Sequence, residues 1–219
     1  MKSFIRIGML VIMALLILAC GKETVKGDGR ITTQVRGLSV FKKIKVDGNF
    51  NVSIIVNQNQ SVAVTADDNL QQYIITEVRD KTLSIKVNKD YRLSSSRVPQ
   101  IKITMLQLKR LMTVGSMTVN VMDVSGPSFA LSANGAVNAQ LTGTVHKASL
   151  GIMGAAQMDA SQLIADETEL DVSGAAKVSV YAKQKLIVKI SGDGTVAYYG
   201  NPPIINQAVF GNGKIQKME

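Results

Sequence analysis

Through the second half of the chain, apolar and polar residues alternate, and a glycine keeps returning within the alternation. Gly115, Gly135, Gly154, Gly174, Gly192 and Gly211 stand 18–20 residues apart. Four residues before the first five come Leu111, Leu131, Leu150, Leu170 and Val188; two before come Thr113, Ala133, Ile152, Val172 and Ile190. Two residues after stand Met117, Val137, Ala156, Ala176 and Gly194. A polar step follows (Thr118, Asn138, Gln157, Lys177, Thr195), then an apolar one (Val119, Ala139, Met158, Val178, Val196). Asn120, Gln140, Asp159 and Ser179 make the next polar step, with Ala197 the exception, and Val121, Leu141, Ala160, Val180 and Tyr198 close the unit. A spacing of two is the strand period. A repeat of about 20 residues matches one turn of a coiled β architecture. The pattern predicts an all-β fold, a right-handed parallel β-helix or solenoid with coils of about 19–20 residues. One unit cannot bury its apolar face alone, whereas stacked units share a continuous core. Coils ~4.8 Å apart would make five or six of them span roughly 25 Å. Glycine at the corner supplies positive φ or a close backbone approach. Hairpin turns of an antiparallel sandwich would also carry recurring glycines. The constant pattern on both sides of each glycine favours the coil.

The unit occurs once earlier, where Ile44 and Val46 precede Gly48 and Phe50, Val52 and Ile54 follow it, giving a first unit over 44–56. The 67 residues from Gly48 to Gly115 exceed one coil. Within them the alternation predicts strands over 61–66, 83–87 and 101–105, with a serine-rich loop over 92–99. Asp67 and Asp68 as N-caps, with Leu70, Tyr73 and Ile74 at helical spacing, predict a short helix near 69–77. Gly200-Asn201-Pro202-Pro203 breaks the ladder, and the shortened unit after it reads as a cap. One domain over 40–217 results, with 61–105 as its irregular N-terminal part. Residues 20–39, polar and glycine-bearing, read as a flexible tether.

Composition adds where the chain resides. With 46% apolar residues, the 219-residue chain can build one sizeable core. Aromatics make up only 5%, so small aliphatics must fill it. Among the ten methionines, Met105, Met112, Met117, Met122, Met153 and Met158 read as adaptable filler. Residues 1–19 have the form of a signal peptide, with Lys2 and Arg6 ahead of an apolar run, Ile7 to Ala19, too short for a comfortable membrane span. The run ends Ile17-Leu18-Ala19-Cys20, which resembles a bacterial lipobox and makes Cys20, the only cysteine, the residue to be lipidated. Acylation with palmitate-type chains would hold the protein on a membrane. Gly21 in place of Asp resembles lipoproteins passed to the outer membrane, facing either the periplasm or the outside. The chain has 25 basic and 16 acidic residues; without Lys2 and Arg6 it is 23 against 16, net +7. That balance favours anionic partners such as headgroups or acidic polysaccharide. No nucleic-acid motif or aromatic stacking set is present, so nucleic acid is not expected as a partner.

Several motifs, in order, resemble one known family. They are Phe41-x-x-Ile44-x-Val46-x-Gly48-x-Phe50-x-Val52, then Val62-x-Val64-x-x-Asp67, then Lys81-x-Leu83-x-Ile85. The corners Ser173-Gly174, Gly192-Asp193-Gly194 and Gly211-Asn212-Gly213 complete the set. Together they resemble the auto-transporter adhesin "head GIN" domain family over about 40–217. The chain departs from it at Val114, Asn134 and Met153, where serine is commoner before the glycine. The resemblance implies a β-helical domain exported to the cell envelope. It implies no enzyme activity and supplies no functional residues.

Candidate chemistry is sparse. His146, the sole histidine, lies in a polar turn and has no triad around it. One His and one Cys cannot supply a zinc site. Asp166, Glu167, Glu169 and Asp171 form the one acidic cluster, a solvated strand face or a calcium site. The outward row of the post-glycine strand holds one acid and one lysine, Asp159 and Lys177, on separate coils, a poor set for glycoside cleavage. The same row supplies a candidate binding face: Asn120, Asn138, Gln140, Gln157, Lys177 and Ser179. Three functions remain: a non-catalytic envelope module that binds a glycan or an envelope or host protein, a structural or regulatory partner of other envelope proteins, and a carbohydrate-active enzyme. No cofactor is expected.

Overall fold

The computed structural model describes residues 22–219. The expected signal peptide, the expected lipidation site Cys20 and Gly21 lie outside the described residues. The described chain is all-β with one short 3₁₀ helix, and no sheet closes into a barrel. Its strands are β1 (Glu23–Lys26), β2 (Ile31–Val35), β3 (Lys43–Val56), β4 (Ser61–Asp67), β5 (Ile74–Arg79), β6 (Thr82–Val87) and β7 (Tyr91–Ser94). They continue as β8 (Gln100–Met105), β9 (Arg110–Tyr181), β10 (Lys185–Gly192), β11 (Thr195–Tyr199), β12 (Ile204–Phe210) and β13 (Lys214–Lys217).

The glycine repeat governs how these strands meet. β9 runs for 72 residues and passes through Gly115, Gly135, Gly154 and Gly174. β10 pairs with its last part in parallel, Val188 beside Leu170, Ile190 beside Val172 and Gly192 beside Gly174. β11 pairs in parallel with the segment after Gly174, Val196 beside Val178. At the other end β3 lies parallel to the start of β9, Gly48 beside Gly115 and Val52 beside Val119. The unit around Gly48, remote in sequence, is therefore the layer directly against Gly115. A Cβ built on Gly135 would lie 2.2 Å from the carbonyl oxygen of Gly115, and Gly154 meets Gly135 in the same way at 2.6 Å. Corners of successive layers thus touch backbone to backbone, and only a residue without Cβ fits there.

Like positions of successive layers build one core. Leu111, Leu131, Leu150, Leu170 and Val188 are buried, as are Val119, Ala139, Met158, Val178 and Val196. Met105, Met117 and Met158 fill this core, whereas Met153 is 62% exposed and departs from the filler reading. Met153 stands one residue before a corner glycine, where the alternation turns the side chain outward.

Residues between the first two layers form the base. β6 runs parallel to the first part of β3 and β8 to its second part. β4 pairs antiparallel with β8, and β5 antiparallel with β6. The helix expected near 69–77 is shorter, a 3₁₀ helix over Asp68–Tyr73 that passes directly into β5. Asp67 stands at the N-cap but makes no capping hydrogen bond. Pairing of Ile74–Arg79 with β6 offers those residues a full ladder, which competes with continuing the helix.

The carboxylate of Asp67 is committed elsewhere, and this corrects the flexible-tether reading of 20–39. β1 pairs with β7 and β2 pairs antiparallel with β4, so most of the described part of that segment is ordered against the domain. Asp67 is fully buried and accepts from Gly29 N at 2.9 Å, Ser96 N at 3.0 Å and Ser96 Oγ at 2.6 Å. Asn69 donates to Lys26 O and accepts from Asp28 N, Arg30 forms an ion pair with Asp68, and Arg36 donates to Gln71. The polar composition of 22–36 therefore reflects hydrogen bonding to the residues around the 3₁₀ helix. The Ser96 hydroxyl, with the Gly29 and Ser96 amides, holds the Asp67 carboxyl below the usual carboxylate range against the opposing effect of burial. A depressed folded-state pKa gives stability that is present above the unfolded value, about 3.9, and is lost as pH falls through the folded one. Asp67→Asn is expected to cost about 2–3 kcal/mol at about pH 7. The difference from the parent should shrink towards about pH 3 in denaturant titrations. A cost that stays constant with pH would show that the charge on Asp67 contributes nothing.

The final strands also differ from expectation. A capping coil was predicted after Pro203. β12 and β13 do form that last coil, each adding one more parallel strand, on β10 and β11, but β12 is exposed throughout and does not cover the core. Pro202 is buried at the turn, which redirects the chain into the next layer without ending the stack.

Candidate functional site

The corner glycine decides which side chains face out beside it. In the strand after each corner, the second residue points inward: Met117, Val137 and Ala176 are buried. The first and third point outward, and stacking places each above its counterpart, as with Lys177 beside Thr195 and Thr118 beside Asn51. The result is a groove of about 710 Å³ that crosses the layers. Its floor is made by the small first-position residues Ser116, Ala136, Ala155 and Ala175. Its polar rail is the third-position row Thr118, Asn138, Gln157, Lys177 and Thr195. Asn49 and Asn51 extend it at one end, Asp193 at the other, and Val98 leans in from the loop before β8.

Of the six residues selected from sequence, Asn138, Gln157 and Lys177 line this groove. Asn120, Gln140 and Ser179 lie two residues further along each strand and are not part of its lining. Asn120 borders an adjoining depression of about 490 Å³, with Ser53, Thr65 and Gln100, that shares Asn51 and Thr118 with the groove. The residues not foreseen are the floor alanines and the asparagines of β3. The alternation carried the signal, because it puts Ala155 and Ala175 on the outward side, apart from the inward Ala156 and Ala176.

The groove is nearly free of charge. Lys177 is its one cation, and Asp193, its one carboxylate, accepts from Asn212 Nδ2 at 3.1 Å. The basic excess of the chain is not gathered here, so the groove offers amide and hydroxyl hydrogen bonding to a neutral ligand.

The other candidates are spread apart. His146 Nδ1 lies 2.7 Å from Asp166 Oδ2, exposed on β9 and not in a turn, and Lys183 approaches the same carboxylate at 3.8 Å. Glu169 pairs with Lys147 at 3.2 Å. Asp166 and Glu169 of the acidic cluster thus have basic neighbours, and among the described residues no group of His, Cys, Asp or Glu is placed to hold a metal ion. Asp159 accepts from the backbone and hydroxyl of Ser161, away from Lys177. No helix among the described residues is long and apolar enough to cross a membrane.

Fold and groove together define an all-β protein of parallel layers with an extended polar surface. The chain belongs to the family described as "Putative auto-transporter adhesin, head GIN domain", whose model matches residues 40–202. Membership suggests a role at the cell envelope or surface. Solved structures share the fold. A protein from Bacteroides fragilis described as a putative adhesin superposes with a TM-score of 0.73 at 20% identity, over 89% of this chain and 100% of that one. Another so described, from Parabacteroides distasonis, gives 0.67 at 24% identity, over 90% and 100%. A third, from the same species and described as a putative lipid binding protein, gives 0.56 at 24%, over 90% and 100%. No curated protein matches the chain.

Proposed function

We propose that this chain is a non-catalytic binding module of the bacterial envelope, built on a right-handed parallel β-helix and anchored in the outer membrane through a lipid on Cys20. The parallel register at a constant 18–20-residue offset supports the winding. The observation that carries the function is the groove, in which each of the four layers from Gly115 to Gly174 contributes one small floor residue and one polar rail residue. Such a surface repeats its hydrogen-bonding groups about every 4.8 Å along the stack. It suits an elongated ligand with repeating polar groups, a neutral glycan chain or an extended protein segment.

The combined variant Asn138→Ala, Gln157→Ala and Lys177→Ala is expected to lower binding to a neutral-oligosaccharide array at least tenfold with an unchanged melting temperature. A comparison variant, Asn120→Ala with Gln140→Ala and Ser179→Ala, should bind as the parent does. Equal binding by both variants would remove the groove from the mechanism. Anchoring is tested apart from binding: Cys20→Ala should move the protein from the membrane to the soluble fraction of an expressing bacterium. Retention in the membrane fraction would leave the lipid without a role.

A further inference from the structure

The layer that ends the stack leaves the core open. β12 is the last strand in the order of its sheet and has a neighbour, β10, on one side only. Its register places Ile205, Gln207 and Val209 over Leu186, Val188 and Ile190, the buried core column of the layer beneath. Ile205 and Val209 face along that column and are still 41% and 40% exposed. The outward Ile204 and Phe210 are 52% and 62% exposed. β12 is therefore a seven-residue edge strand, apolar on both faces, with one row of backbone donors and acceptors unpaired. A long apolar edge of this kind pairs with another strand when one is available. β2 lies at the opposite end of the sheet order, so the clamped N-terminal segment does not cover it.

We infer that the occupant of this edge is β12 of a second copy, the two stacks meeting end to end about a twofold axis through Gln207. The strand is self-complementary about that residue. With Gln207 opposite its own counterpart in an antiparallel pair, Ile204 stands against Phe210 of the second copy, Ile205 against Val209 and Asn206 against Ala208. Residues directly opposite point to the same face of a sheet, so each pairing keeps inward with inward and outward with outward. The two open core columns close on each other. Ile204 and Phe210 form aliphatic–aromatic pairs on the outer face, a favourable cross-strand combination. The Gln207 amides each offer a donor and an acceptor across the axis. β12 carries no charge, so a twofold contact of the strand with itself brings no repulsion within the strand pair. A strand of this length runs about 23 Å, and sheet faces about 10 Å apart across the core, with their outer side chains, give roughly double that as width. The contact then covers on the order of 500 Å² per copy, the low end for specific association, and the dimer is reversible.

Sedimentation velocity of the full chain carrying Cys20→Ser, from low to high micromolar concentration, should show monomer giving way to dimer. Val209→Glu, a change at an exposed position, should weaken dimerisation at least tenfold while leaving circular dichroism and melting unchanged. Gln207→Cys in the same background should form an intermolecular disulfide on mild oxidation, because directly opposed Cβ atoms approach to about 4.5–5.5 Å. Asn206→Cys, whose counterpart is offset by two residues, should cross-link poorly. Monomer at every concentration would overturn the inference. So would a dimer that withstands Val209→Glu, or one that Asn206→Cys traps better than Gln207→Cys.

Discussion

Gly135→Ala is expected to be among the most damaging single-methyl substitutions in the described chain. The added carbon would lie 2.2 Å from the carbonyl oxygen of Gly115 and 3.0 Å from its carbonyl carbon, all of it backbone. No side-chain rotation relieves that contact; the layers themselves must part. Gly135 also has φ of +112°, a conformation that a residue with Cβ adopts only under strain. Strain and clash together should cost on the order of 4 kcal/mol or more. For a domain of this size that lowers the melting temperature by at least about 8 °C, or prevents folding. Gly151→Ala is the control, since it lies in the same strand, has no positive φ, and its nearest contact would be Leu131 O at 3.8 Å. Thermal melts of the two variants decide the matter. If they melted alike, the corner stack would not be what fixes the spacing of the layers.

The legible part of this fold is the part that repeats. Alternation in each unit gave the facing of Val119, Ala139, Met158, Val178 and Val196, because an inward residue must be apolar wherever layers share a core. The Gly48 unit was recognisable by the same rule across 67 residues of other sequence. Where the repeat fails, local pattern misled. Residues 22–36 look like a linker because their partners are polar, and nothing local announces that Asp67, Asn69 and Gln71 will bind them. Helical spacing of Leu70, Tyr73 and Ile74 was real only for one 3₁₀ segment, since Ile74–Arg79 found a strand partner in β6. The groove was half legible. Its polar rail follows from alternation, but which of the outward residues line one groove depends on how the layers stack, which no one-dimensional pattern states. The last coil after Pro203 was legible, but not its failure to cap, since Ile205 and Val209 continue the core column and leave it uncovered.

Val178→Asp against Lys177→Asp tests the facing that all the rest uses. Val178 is 2% exposed, its neighbour in the next layer is Val196, and both belong to the central column. An aspartate there forfeits about 1.5–3 kcal/mol of apolar burial. It must also enter the core either as an unpaired charge or as a protonated acid without a hydrogen-bond partner, which adds a penalty of at least about 2 kcal/mol. The sum approaches the whole stability of an ordinary domain, so Val178→Asp should fail to fold or melt far below the parent. Lys177, one residue away, is exposed on the groove rail beside Thr195. Reversing its charge should change stability by no more than about 0.5 kcal/mol. A difference this large between adjacent positions arises only if the strand sends alternate side chains to a buried and a wet face. Equal tolerance of the two would mean that the inward column is not packed, and the groove whose rail depends on it would lose its support as well.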